Sequence, residues 1–163
     1  MKKLLVALLA GGALAATAAP ALAAAKEPAL GPYGYGPVKL GMSAAKARAT
    51  GKIVLKLPAG AGLCSGWNLR AHPAGKGRVG LYISRKAGVA VILAQKGMRT
   101  PRGIGLGSSV RQVRKAYPGL RTSPSGVAYT AVPGNPKAYY AFLYSNGKVR
   151  ELAFGLDRQD CIN

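Results

Sequence analysis

One short phrase is written twice in this chain, and that constrains its fold more than any other feature. Val38-Lys39-Leu40-Gly41-Met42-Ser43 returns 66 positions later as Ile104-Gly105-Leu106-Gly107-Ser108-Ser109. Each copy runs into a short helical pattern with an arginine at the same offset, Arg48 and Arg114. Four of the fourteen pairs from Val38/Ile104 to Gly51/Tyr117 are identical: Leu40/Leu106, Gly41/Gly107, Ser43/Ser109 and Arg48/Arg114. Chance supplies only about one, and a match of this kind suggests one supersecondary unit used twice. The expected fold class is α+β: two tandem repeats, each a short helix packed on an antiparallel sheet.

The elements follow from local chemistry. Ser43 caps a helix expected from Ala44 to about Thr50, and Gly51 ends it. Ser109 with Gln112 three residues on forms a capping-box pattern. Val110, Val113 and Tyr117 then share one helical face, and Pro118-Gly119 stops that helix. Ile53–Leu57, Trp67–Leu69, Arg78–Ser84, Val89–Ala94 and Val127–Val132 read as strands. The clearest local signal is Asn146-Gly147 between two alternating runs, because a two-residue hairpin turn needs positive φ at both positions.

Counting back from that turn with a regular ladder sets Tyr144 opposite Val149, Phe142 opposite Glu151, Ala141 opposite Leu152 and Tyr139 opposite Phe154. Tyr139, Ala141, Leu143, Leu152 and Phe154 are then expected to face the core. Tyr140, Phe142 and Tyr144 occupy the other face. Three aromatics in a row there either pack against the other repeat or stand exposed and bind something.

Residues 1–23 read as a signal peptide: Lys2 and Lys3, an apolar stretch from Leu4 to Ala16, and the small-residue signal Ala21-Leu22-Ala23. Cleavage is expected after Ala23, with Ala18 or Ala25 as near alternatives and a retained anchor as the competing reading. The apolar stretch is short for a span and broken by Pro20. No other segment is long and apolar enough to cross a bilayer, so no stable membrane span is expected after cleavage. Residues 24–36, rich in Ala, Pro and Gly, read as a flexible leader. Repeat 1 then covers 37–98 and repeat 2 covers 99–163. The chain is expected to be secreted, or associated with the cell envelope. Cys64 and Cys161 are the only cysteines, and in an exported chain they read as one disulfide, the alternative being two buried thiols.

Charge is distributed unevenly. Without Lys2 and Lys3, 22 of the 24 basic residues remain against 4 acidic ones, a net charge of +18. Between Pro28 and Arg150 stand 20 lysines and arginines and no aspartate or glutamate. Such a surface attracts anionic partners, an acidic protein or an anionic envelope polymer, and loses that attraction in salt.

The same scarcity of acids weighs against enzymes. Glycoside hydrolysis generally needs two flanking carboxylates, and a metal site needs several His, Cys, Asp or Glu ligands. With one histidine and four acids, we expect no catalytic residues, no metal and no cofactor. A Cys64–His72 nucleophile pair competes with the disulfide. Ser65 lies in Leu63-Cys64-Ser65-Gly66, which fails the G-x-S-x-G pattern at Leu63. Gly103–Gly107 lacks the spacing of a phosphate-binding loop. The basic residues form no recognised nucleic-acid motif, so nucleic acid is not an expected partner.

Two copies of a Gly-Met/Ser-Ser turn and helix, each followed by antiparallel strands, resemble the tandem-repeat fold of the secreted β-lactamase inhibitory protein family. Single units of similar design occur in small outer-membrane assembly lipoproteins of the SmpA/OmlA type. The phrase from Thr100 to Ser109, with Val113 and Tyr117-Pro118, is also similar to secreted proteins of high-GC Gram-positive bacteria. The resemblance covers about Gly36 to Leu156. It implies a non-enzymatic protein-binding module, inhibitor-like, gripping its partner on an aromatic sheet face. Carried onto this chain, it points to Tyr140, Phe142 and Tyr144, and to Trp67 and Tyr82. Attachment to anionic cell-wall polymers or lipid surfaces, driven by charge alone, is the alternative. The identity of the partner is not written in the sequence.

Overall fold

The computed structural model describes residues 27–60 and 62–162; the expected signal peptide lies outside them. The chain runs β1 (Gly34–Tyr35), β2 (Val38–Lys39), α1 (Ala44–Ala49), β3 (Ile53–Leu57), β4 (Cys64–Leu69), β5 (Leu81–Ser84) and β6 (Gly88–Leu93). It continues with α2 (Val110–Ala116), β7 (Arg121–Thr122), β8 (Ala128–Val132), β9 (Asn135–Ser145) and β10 (Lys148–Leu156). Strands β3 to β10 form one eight-stranded antiparallel sheet in the order β3-β4-β5-β6-β10-β9-β8-β7, while β1 and β2 form a separate two-stranded ribbon. Each half contributes a helix followed by four strands, and the last strands of the two halves, β6 and β10, pair at the centre.

Both helices start as their caps dictate. Ser43 Oγ accepts from the Lys46 amide at 3.4 Å. At Ser109 the box closes both ways: the Gln112 amide donates to Ser109 Oγ at 3.2 Å and the Ser109 amide to Gln112 Oε1 at 2.7 Å. The loop before each helix clasps a strand. The Gly41 amide donates to Val89 O and the Val89 amide to Met42 O, at 2.9 and 2.8 Å. The Gly107 amide donates to Val149 O and the Val149 amide to Ser108 O, both at 2.8 Å. Gly41 and Gly107 hold φ of 77° and 83°, a backbone that glycine adopts without steric cost.

The hairpin β9–β10 departs from the regular ladder. Tyr144 pairs with Val149, but Leu143 then pairs with Glu151, so Arg150 is an extra residue in β10. A one-residue bulge moves everything beyond it to the opposite face of the sheet. Leu152 therefore stands opposite Phe142 and Phe154 opposite Tyr140, and all four are fully buried or nearly so. The expected faces of β9 are exchanged. Tyr140 and Phe142 are core residues, with Tyr117 of the α2 C-cap at ring distances of 5.6 and 5.8 Å. Ala47 of α1 and Val113 of α2 belong to the same cluster, together with Leu69, Leu81, Ile83, Ile92 and Met98.

The segment expected to be a flexible leader contributes Leu30 and Tyr35 to this core. Leu30 is fully buried and Tyr35 nearly so. The Leu30 amide donates to Arg99 O at 2.8 Å, and Tyr140 Oη donates to Leu30 O. Apolar side chains placed among Ala, Pro and Gly still find a surface to cover, here the helix side of the sheet. The disulfide joins Cys64 at the start of β4 to Cys161, across 97 residues. No helix among the described residues is long and apolar enough to cross a membrane.

Candidate functional site

With the helices and the amino-terminal segment sealing one face, the other face of the sheet remains. Its side chains are read from the register. One row runs Tyr129–Ala141–Ala153–Leu93 and the next Tyr139–Gly155–Val91–Tyr82, with Leu143 opposite Glu151 at the side. The centre of this surface is paved with small residues, Ala141, Ala153 and Gly155, while larger ones stand around it. A trough of about 590 Å³ results, walled by Tyr82, Leu93, Val127, Tyr129, Tyr139 and Leu143. At Gly155 a Cβ would come within 3.1 Å of the Tyr139 ring and of Val91, so glycine lets that ring lie down on the sheet.

The carboxyl-terminal tail closes one side. Ile162 lines the trough, and Cys161 and Ile162 pack against Ala90, Val91, Ala141 and Ala153. Gln159 holds the tail in shape, its Oε1 accepting the amides of Cys161 and Ile162 at 2.7 and 3.0 Å. The disulfide fixes the tail to β4. Around the rim are Ser123 and Ser125, whose hydroxyls lie 2.9 Å apart, and Glu151. Glu151 is the one carboxylate of the trough, with Arg150 at 3.3 Å and Arg78 at 3.9 Å. Burial pushes the Tyr139 hydroxyl above its ordinary pKa, so it is a neutral hydrogen-bonding tip on an apolar ring.

Of the five residues expected to bind a partner, one lies here. Tyr82, half-buried, lines the trough. Tyr140 and Phe142, both 0% exposed, are corrected to core, for the reason the bulge supplies. Trp67 is also buried, on the helix side, with Nε1 donating to Ser65 Oγ at 2.8 Å. Tyr144 is half-buried on the helix side, where it lines a separate cavity with Val110, Arg114, Tyr117 and Leu120. Sequence reasoning missed Tyr129, Tyr139, Leu93 and Leu143. A signal was present: Val149, Leu152, Phe154 and Leu156 are the large apolar positions of β10, and one step of three where a strand steps by two marks an inserted residue.

In the trough the Ser123 and Ser125 hydroxyls bond to each other, and the Glu151 carboxylate lies beside Arg150 and Arg78. His72, the single histidine, is elsewhere, its Nε2 2.8 Å from Tyr35 Oη and 3.4 Å from Glu27 Oε2. Burial and the neighbouring Glu27 push the Tyr35 hydroxyl up to about 12. Among the described residues the single cluster of metal-ligating types is Cys64, Asp160 and Cys161, whose sulfurs are already bonded to each other. All 20 lysines and arginines between Pro28 and Arg150 are exposed. No family model, curated protein or solved structure matches this chain.

Proposed function

We propose that this chain is a secreted, non-catalytic binding protein that receives a protein partner in the tyrosine-walled trough of its open sheet face. The observation that carries the reading is the trough itself: Tyr82, Tyr129 and Tyr139 around a floor of alanine and glycine. Tyrosines supply large contact area with few rotatable bonds, which makes them frequent interface anchors. The basic surround would speed encounter with an acidic partner. We also propose that the two halves are copies of one unit, as in the inhibitor-like tandem fold that the sequence resembles. The equivalent clasps of Gly41 on Val89 and Gly107 on Val149 support that reading.

Tyr129→Ala combined with Tyr139→Ala tests it. The double variant should fold normally, lose the protein that the parent chain captures from its producer's envelope or medium, and keep its retention on a phosphate-bearing matrix. Unchanged capture would remove the trough from consideration. The exposed basic residues favour a second reading, attachment to anionic polymers. That reading gains if retention disappears between low and moderate salt and the double variant behaves as the parent does.

A further inference from the structure

Six large apolar side chains are exposed among the described residues, and three of them, Val54, Leu55 and Leu57, belong to one edge strand of the sheet. The edge strand is β3. The Arg70 amide donates to Lys52 O at 2.8 Å, which makes Lys52 and Arg70 a hydrogen-bonded pair. Antiparallel ladders alternate, so Val54 and Asn68 form the next such pair. The backbone N–H and C=O of Ile53 and Leu55 consequently point away from the sheet.

The opposite edge is guarded more heavily than this one. β7 is two residues long, exposes Arg121 and Thr122, and lies between Pro118 and Pro124. β3 runs five residues without proline, and its irregularity falls late, between Leu55 and Leu57. An apolar edge with free backbone groups is a template for an added strand. A second copy of this chain is a poor candidate. Self-pairing centred on Val54 would set Lys52 opposite Lys56, two like charges, on a molecule already strongly positive. The charge favours the opposite kind of strand.

We propose that β3 is a strand-addition site for an extended acidic segment of another protein. The incoming backbone would pair with Ile53 and Leu55, its apolar side chains would cover Val54 and Leu57, and its carboxylates would meet Lys52 and Lys56. This edge is separate from the trough, and neither reading depends on the other.

The test uses the full chain and two synthetic pentapeptides, Glu-Thr-Val-Thr-Glu and Lys-Thr-Val-Thr-Lys, whose central valine would stand opposite Val54 and whose charged ends would stand opposite Lys52 and Lys56. Backbone amide hydrogen exchange is followed at Ile53 and Leu55. With the acidic peptide, exchange at those two amides should slow by about tenfold or more, as pairing into a ladder requires. The lysine peptide should leave both unchanged. In Leu55→Pro, which removes an outward-facing N–H and leaves the ladder to β4 intact, the protection of Ile53 should vanish. Three results overturn the proposal: no slowing with the acidic peptide at millimolar concentration, equal slowing with the lysine peptide, or protection that rises with protein concentration alone and so reports a second copy. The parent-chain measurement decides the matter even if Leu55→Pro fails to fold.

Discussion

The exchange of faces on β9 makes a sharp prediction about two aromatic positions of that strand, three residues apart, Phe142 and Tyr139. Phe142 is fully buried; its ring lies 5.8 Å from that of Tyr117 and 6.3 Å from that of Tyr140, and Leu152 stands opposite it on β10. Phe142→Ala removes that ring and leaves a cavity under α2 which the surrounding sheet cannot collapse into. Such truncations cost about 3–5 kcal/mol. For a domain of this size each kcal/mol moves the melting temperature by roughly 3–5 °C, so the variant should melt about 10–20 °C below the parent. Tyr139→Ala removes a half-buried ring from the open face, where no element covers it, and should cost about 1 kcal/mol. Thermal and urea melts under oxidising conditions give both numbers. A Phe142→Ala variant within about 1 kcal/mol of the parent, with Tyr139→Ala the more damaged, would mean that the hairpin has no bulge and that its core face is misassigned.

Other consequences are as direct. Replacing Cys64 and Cys161 by serine opens a loop of 97 residues and should lower stability by up to about 4–5 kcal/mol. It should also free the tail from the trough, so the Cys161 and Ile162 position amides should exchange faster; unchanged stability and unchanged protection would contradict the role given to the tail. The chain should also lose stability in alkali. Burial raises the hydroxyls of Tyr35, Tyr117, Tyr139, Tyr140 and Tyr144 above their unfolded value of 10.0, that of Tyr35 to about 12. Because the folded state holds these protons more tightly, their contribution is complete below that value and falls as pH rises through the folded pKa values. The unfolding free energy from urea titrations should therefore be flat to about pH 9 and then fall, by about 1.4 kcal/mol per pH unit for each tyrosine that only the unfolded chain has released. Tyr140→Phe should make that slope shallower, even though losing the bond to Leu30 O lowers stability at every pH. An equally steep fall in the variant would show that Tyr140 does not hold its proton.

Some of this protein was fixed by neighbours along the chain. Ser43, and Ser109 with Gln112, dictate where the helices start, because a cap needs only residues within one turn. Asn146-Gly147 dictates the hairpin because its backbone angles belong to those two residues. The pairing of Cys64 with Cys161 needed only a count of two. The face that each aromatic takes was decided elsewhere. It depends on a single unpaired residue, Arg150, whose insertion is settled by how Leu152 and Phe154 meet Tyr140 and Phe142 beneath Tyr117. Strand alternation states that two faces exist but not which one is covered, because that depends on helices and on a leader distant in sequence. The burial of Leu30 under the Tyr140 hydroxyl, 110 residues away, is the same kind of fact. The open trough follows from it: the tyrosines that the core did not take are the ones left facing water.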